Sequence, residues 1–201
     1  ASPPGDEATA SAAEAKSDAA LDRSRTAFRR GDYLSAMAAV DEALASTPGD
    51  VSLHEYRALV LFALGKYGEA SGVLNPVLAS GPGWGWETMV GFYNSAAEYE
   101  GQLRKLEGYV NGTPENAAGH FLLGYHYLVC GNTEQSYAQF DRTAALLPAD
   151  TIAVQLRDLT ASSLPDGGQP GIDPAPRPAP VSLDKLTGTW TSDRGANGKV
   201  L

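Results

Sequence analysis

Residues 117–150 read AAGHFLLGYHYLVCGNTEQSYAQFDRTAALLPAD. Apolar side chains recur at helical spacing as far as Val129, pause at Gly131, and resume until just before Pro148, which describes two helices joined by a tight turn. The same layout occurs three more times upstream. Pro48, Pro82, Pro114 and Pro148 lie 34, 32 and 34 residues apart, each just past an apolar helical pattern. A period of that length marks stacked units, each of which needs its neighbours to bury its apolar face.

Setting each proline to repeat position 32 gives units over 17–50, 51–82, 83–116 and 117–150. Position 15 then reads Gly31, Gly65, Ala97, Gly131, where a turn between helices benefits from positive φ. Position 17 reads Tyr33, Tyr67, Tyr99, Thr133, and position 24 reads Val40, Leu74, Leu106, Phe140. Position 20, where the two helices of a unit approach closely, reads Ala36, Ala70, Gln102, Ser136, so the third unit alone is bulky there. These columns resemble the tetratricopeptide repeat family, and the fourth unit carries the resemblance best through Leu123-Gly124, Tyr127, Gly131 and Pro148. The first unit departs most, as a solvent-facing end unit does.

The segment TIAVQLRDLTASS at 151–163 has apolar residues at 152, 154, 156 and 159 and reads as a ninth helix capping the last unit. The expected fold is therefore all-α: four helix-turn-helix units and a cap over 17–163, wound as a right-handed superhelical solenoid, the handedness being what the resemblance implies. The flanks differ in kind. Residues 1–16 are small and acidic without a large apolar side chain, which predicts a disordered arm. Residues 164–180 are rich in proline and glycine and read as a polyproline-type spacer. After it, Leu186-Thr187-Gly188-Thr189-Trp190 resembles the opening strand of small lipocalin-like β-barrels, so 181–201 reads as the start of a truncated β domain.

A formal net charge of -9 argues against an extended hold on nucleic acid or anionic lipid, because both need clustered cations. No apolar run approaches the roughly 18 residues that span a bilayer. Enzymatic signals are weak. The chain has no nucleophile elbow, phosphate-binding glycine loop or zinc-protease motif. His54 and His120 share repeat position 4, which points to a common structural role, and His126 follows His120 at a spacing that points the two rings apart on a helix. No histidine stands at a spacing that argues for activation of Cys130, which reads as a half-buried thiol. We therefore expect no catalysis, cofactor or metal, and the sequence leaves the compartment open.

In the family it resembles, positions 2, 5, 9, 12 and 13 of each first helix line a concave groove that holds a peptide or a partner helix. Carried onto this chain, the resemblance implies a peptide-binding groove with Arg25, Glu55, Leu59, Trp84, Glu87, Phe121 and Tyr125 as its leading residues. The chaperone-tail clamp of lysine and asparagine known in the family is missing from these positions. An aromatic floor with carboxylates suits an apolar or proline-containing protein segment carrying positive charge. The chain's own proline-rich linker, with Arg177, is one candidate occupant. Two functions follow as expectations: a protein-interaction scaffold, or a regulatory or spacing arm for a ligand-binding or enzymatic β-barrel. The stretch GPGWGWET at 81–88 stands at the centre of both, with Trp86 at core position 4 and Trp84 at groove position 2 of a unit whose predecessor is two residues short.

Overall fold

The computed structural model describes residues 4–164, with side chains from residue 9 onward. Among the described residues there are nine helices and no strand: α1 Pro4–Arg29, α2 Tyr33–Ser46, α3 Val51–Ala63, α4 Tyr67–Ser80, α5 Trp86–Val90, α6 Ala96–Gly112, α7 Ala117–Val129, α8 Thr133–Leu146 and α9 Thr151–Ser162. They form an all-α solenoid of four tetratricopeptide-like helical pairs closed by α9. The spacer and the expected β domain lie outside the described residues.

Repeat chemistry sets the helix boundaries. Gly31, Gly65 and Gly131 each adopt φ between 73° and 75°. At each turn two successive N–H groups fold back on the preceding helix, as Gly65 N to Phe62 O and Lys66 N to Leu61 O do, so the end carbonyls are satisfied. The residue two after three of the four repeat prolines caps the following helix. Asp50, Asn116 and Asp150 accept from backbone N–H groups of α3, α7 and α9, an interaction contributing about 1 kcal/mol per cap. His54 and His120 do share a role, since each ring Nε2 bonds the carbonyl oxygen of the preceding repeat proline, Pro48 or Pro114, at 2.9 and 3.0 Å.

Within each unit, small residues at position 20 let the paired helices touch. Ala36, Ala70 and Ser136 are fully buried, and Phe140 lies so close to Gly124 that a Cβ there would meet its ring at 3.0 Å. Val40, Leu74, Leu106 and Phe140 form the central column of the core.

Two regions depart from the sequence reading. The segment 1–16 was expected as an arm, yet α1 begins at Pro4. Residues 9–16 are almost wholly exposed, so little packing holds this stretch. Its alanines and glutamate are strong helix formers, and it needs only to propagate from the turn that Ser17 anchors through its hydroxyl on Ala43 O. The third unit also departs: α5 is five residues long, and α6 starts three residues before the second helices of the other units do. Three losses account for this. The two-residue deletion at Pro82 removes the position that supplies Asp or Asn caps elsewhere, leaving Gly85 as an N-cap with no side-chain bond. Ala97 replaces the turn glycine, and no residue near it takes positive φ. Gln102 stands where the close helix approach needs a small side chain. As a result α7 packs directly along α4, and α4 also reaches the cap of α9, where Asn75 Nδ2 donates to both oxygens of Asp150 at 3.1 and 2.9 Å.

Candidate functional site

The chain leaves α4 through Gly81-Pro82-Gly83 and turns toward the concave positions of the first two units. Gly83 has φ +73, and a Cβ on it would lie 2.8 Å from Leu78 Cδ2 and 2.9 Å from Glu55 Oε1, so both conformation and space require glycine. The next residue, Trp84, donates its backbone N–H to Glu55 Oε1 at 2.6 Å. Tyr125 of α7 donates its hydroxyl to the same oxygen at 2.9 Å. Glu55 thus ties three units together. Burial, and then the Glu55 charge beside it, hold the Tyr125 hydroxyl far above the usual phenol range.

Beyond Trp84 the rings of the third unit pack against those of α1 and α3. Tyr93 meets Phe28 edge-on at 5.0 Å, Phe92 meets Tyr56 at 4.9 Å, and Tyr99 meets Phe62 at 6.2 Å between ring centroids. Asn94 Nδ2 donates to Arg29 O at 2.7 Å, and Arg29 Nη2 returns a bond to Gly91 O at 3.3 Å. Gln102 makes use of its misfit size: it accepts from Tyr93 OH at 2.7 Å and donates to Tyr33 OH at 2.8 Å. Residues of the third unit therefore contact the first, two units back, which a regular stack would hold apart.

This arrangement corrects the expectation of an open groove. Glu55, Leu59, Phe121 and Tyr125 are all buried, at 5% exposure or less. Leu59, Glu55 and Tyr125 line an enclosed cavity of about 10 Å³, too small for more than a single water. Phe121 turns instead to Phe140 within its own pair, edge-on at 5.8 Å. Arg25 and Glu87 are exposed and Trp84 is half-buried. The structure thus brings Glu55, Leu59, Tyr125 and the Trp84 backbone together as core, and leaves Arg25, Glu87 and the Trp84 ring at the rim. Trp86 packs edge-on to Tyr99 at 5.4 Å.

Sequence reasoning passed over Phe92, which falls at position 10 of the unit, ordinarily a helix-packing position. Here its half-buried ring is stacked on Trp84 at 4.8 Å with planes 29° apart, while the Arg25 guanidinium carbon lies 5.8 Å from its centroid. Arg25, Phe92 and Trp84 form a cation–aromatic tier on the solvent side of the filled groove. The signal for it was present in Ala97 and Gln102, which mark the third unit as unable to fold as its neighbours do.

The buried titratable groups form a separate cluster. Tyr99 OH bonds His126 Nδ1 at 3.0 Å and Cys130 Sγ at 3.4 Å. Cys130 is fully buried rather than half-buried, and its pKa is pushed up to about 11, chiefly by burial, which suppresses the thiolate that nucleophilic chemistry needs. Burial also lowers His126 to about 3, so the ring is neutral at physiological pH. No group of three metal-ligating side chains occurs among the described residues, and no described helix is long and apolar enough to cross a membrane.

A family model for the tetratricopeptide repeat matches residues 21–83, which covers most of the first two units. No curated protein matches the chain. Two solved structures are similar to it: MamA, residues 41 to the end, from Desulfovibrio magneticus RS-1, and a MamA RS-1 double mutant. Each is 21% identical with a TM-score of 0.33; the match covers 76% of this chain and 87% or 86% of theirs. The family match thus falls on helical pairs of the first two units.

Proposed function

We propose that the chain is a protein-interaction module whose partner docks on the rim of the concave face, against Trp84, Phe92 and Arg25, with Glu87 at its edge. The observation that carries this reading is the half-exposed Trp84–Phe92 stack with Arg25 over it, on a face whose floor the third unit already fills. Tryptophan, tyrosine and arginine dominate binding energy at interfaces when a partner desolvates them. The reading needs no reaction, in keeping with the suppressed thiol and the neutral buried imidazole.

The chain's own proline-rich linker is a weaker occupant than the sequence suggested. Complementary charge between Arg177 and an acidic groove motivates it, and the groove carboxylate Glu55 is buried among donors from Trp84 and Tyr125. The role of an arm for a β-barrel turns on residues outside those described.

Affinity capture with the full chain tests the docking reading. A partner retained by wild type and by Leu147→Ala, an exposed change on the cap side, but lost on Trp84→Ala supports it, provided the variants are equally helical. A partner lost on Leu147→Ala and kept on Trp84→Ala would move the docking surface to the cap.

A further inference from the structure

The charge on the rim differs from the charge of the whole chain. Against a net -9, four of the 15 basic residues lie within eight positions: Arg23, Arg25, Arg29 and Arg30 near the end of α1. Arg23 is engaged with Glu42 at 2.6 Å. Arg29 reaches over the third unit to Gly91 O. Arg25 has one weak ionic neighbour, Asp22 at 3.8 Å, where both groups are solvent-exposed and the attraction is screened. Basic residues in a last helical turn also steady the helix end. Arg25, however, stands a full turn earlier and points over Phe92, so that role does not account for its placement.

The carboxylates tell the converse story. Glu55, the acidic group expected to attract a basic ligand, is withdrawn into the core by Trp84 and Tyr125. Glu98 accepts from Asn94 through its backbone N–H and its side chain. Glu87, in the first turn of the short α5, remains the exposed acid of that segment. The tier itself therefore presents a guanidinium beside two half-buried aromatic rings.

Resting on the docking reading above, we infer that the rim recognises an extended acidic segment of a partner protein, with a carboxylate on Arg25 and an aromatic or proline side chain on the Trp84–Phe92 face. Both contact points lie on the same ring, 5.8 Å and 4.8 Å from its centroid. The preferred ligand carries Asp or Glu close in sequence to an aromatic residue or proline. This reverses the basic partner that overall charge suggests, because local charge at the contact decides selectivity.

The test is a nuclear magnetic resonance titration of the full chain with two synthetic peptides, Ser-Asp-Gly-Phe-Ser and Ser-Lys-Gly-Phe-Ser, reading the Trp84 indole N–H and the Gly91 amide. We expect the acidic peptide to shift both signals saturably and to bind about fivefold or more tightly than the basic one, the scale of an exposed ion pair. Arg25→Glu, an exposed change, reverses the preference while leaving the Phe28 and Tyr93 ring signals in place. Equal affinities, or a basic preference in the wild type, would overturn the inference and leave the docking reading standing. Failure of both peptides to move Trp84 would overturn both readings.

Discussion

The second and third units begin from similar sequence columns and end in different structures. In the second, Asp50 caps α3, Gly65 turns the chain at φ 74°, and Ala70 lets α4 close on its partner. In the third, the cap position is deleted, Ala97 occupies the turn and Gln102 the close approach, and the first helix shrinks to Trp86–Val90. The apolar and aromatic residues remain, so the unit still has surface to bury. It buries that surface against the rings of α1 and α3. Small losses of local punctuation thus redirect a whole unit, and a face that binds ligands in a regular array becomes part of the core.

Four experiments would break or sharpen this contrast. The largest effect is expected at position 17, where Tyr99 is fully buried among Phe62, Trp86, Tyr93 and His126 whereas Tyr33 is half-exposed. Tyr99→Ala should cost about 3–5 kcal/mol of unfolding free energy and Tyr33→Ala about 1, read from urea unfolding. Equal costs would mean that the third unit is held no differently from the first. Next come the glycines. Gly31 and Gly83 share a positive φ, but a Cβ at Gly31 meets nothing within 4 Å. Gly31→Ala should cost about 1 kcal/mol, and Gly83→Ala roughly 2–3 because it also collides with Leu78 and Glu55.

Acid provides a third comparison. His126 has a folded-state pKa of about 3 against an unfolded value of 6.5. The unfolded chain therefore takes up the proton first, so this contribution to stability is complete above pH 6.5 and is lost progressively as pH falls toward 3. His126→Asn should flatten the wild-type loss of stability across that window, and an unchanged slope would show that the ring is not shielded beneath the third unit. The smallest effect belongs to Gly85→Ser, which supplies α5 with a capping hydroxyl. It should raise stability by a few tenths of a kcal/mol. A gain several times larger would mean that the missing cap alone keeps the third unit irregular.

Much of this fold was legible in the sequence, because the devices that build it are local. The glycines at 31, 65 and 131, the caps two residues past the repeat prolines and the stripe of α9 are read from near neighbours. The departures were equally visible as Pro82, Ala97 and Gln102. Their consequence was not, because it depends on Phe28, Tyr56 and Phe62, distant in sequence, presenting rings that accept Tyr93, Phe92 and Tyr99. Trp84 was singled out for its position, and its ring does remain at the surface. Glu55 reads as a groove residue from its repeat position 5, and the two donors that let it be buried come from other units. Phe92 escaped notice because position 10 belongs to helix packing only while the first helix of the unit is long enough to reach it.

The third unit is held by its rings against α1 and α3 of the first two units. The most direct test is the nuclear Overhauser effect between the rings of Phe28 and Tyr93, whose centroids lie 5.0 Å apart although 65 residues separate them. A strong cross-peak in the full chain, joined by one between Tyr56 and Phe92, is the predicted result. Absence of both, with the helices otherwise intact, would place the third unit in a regular stack and reopen the groove.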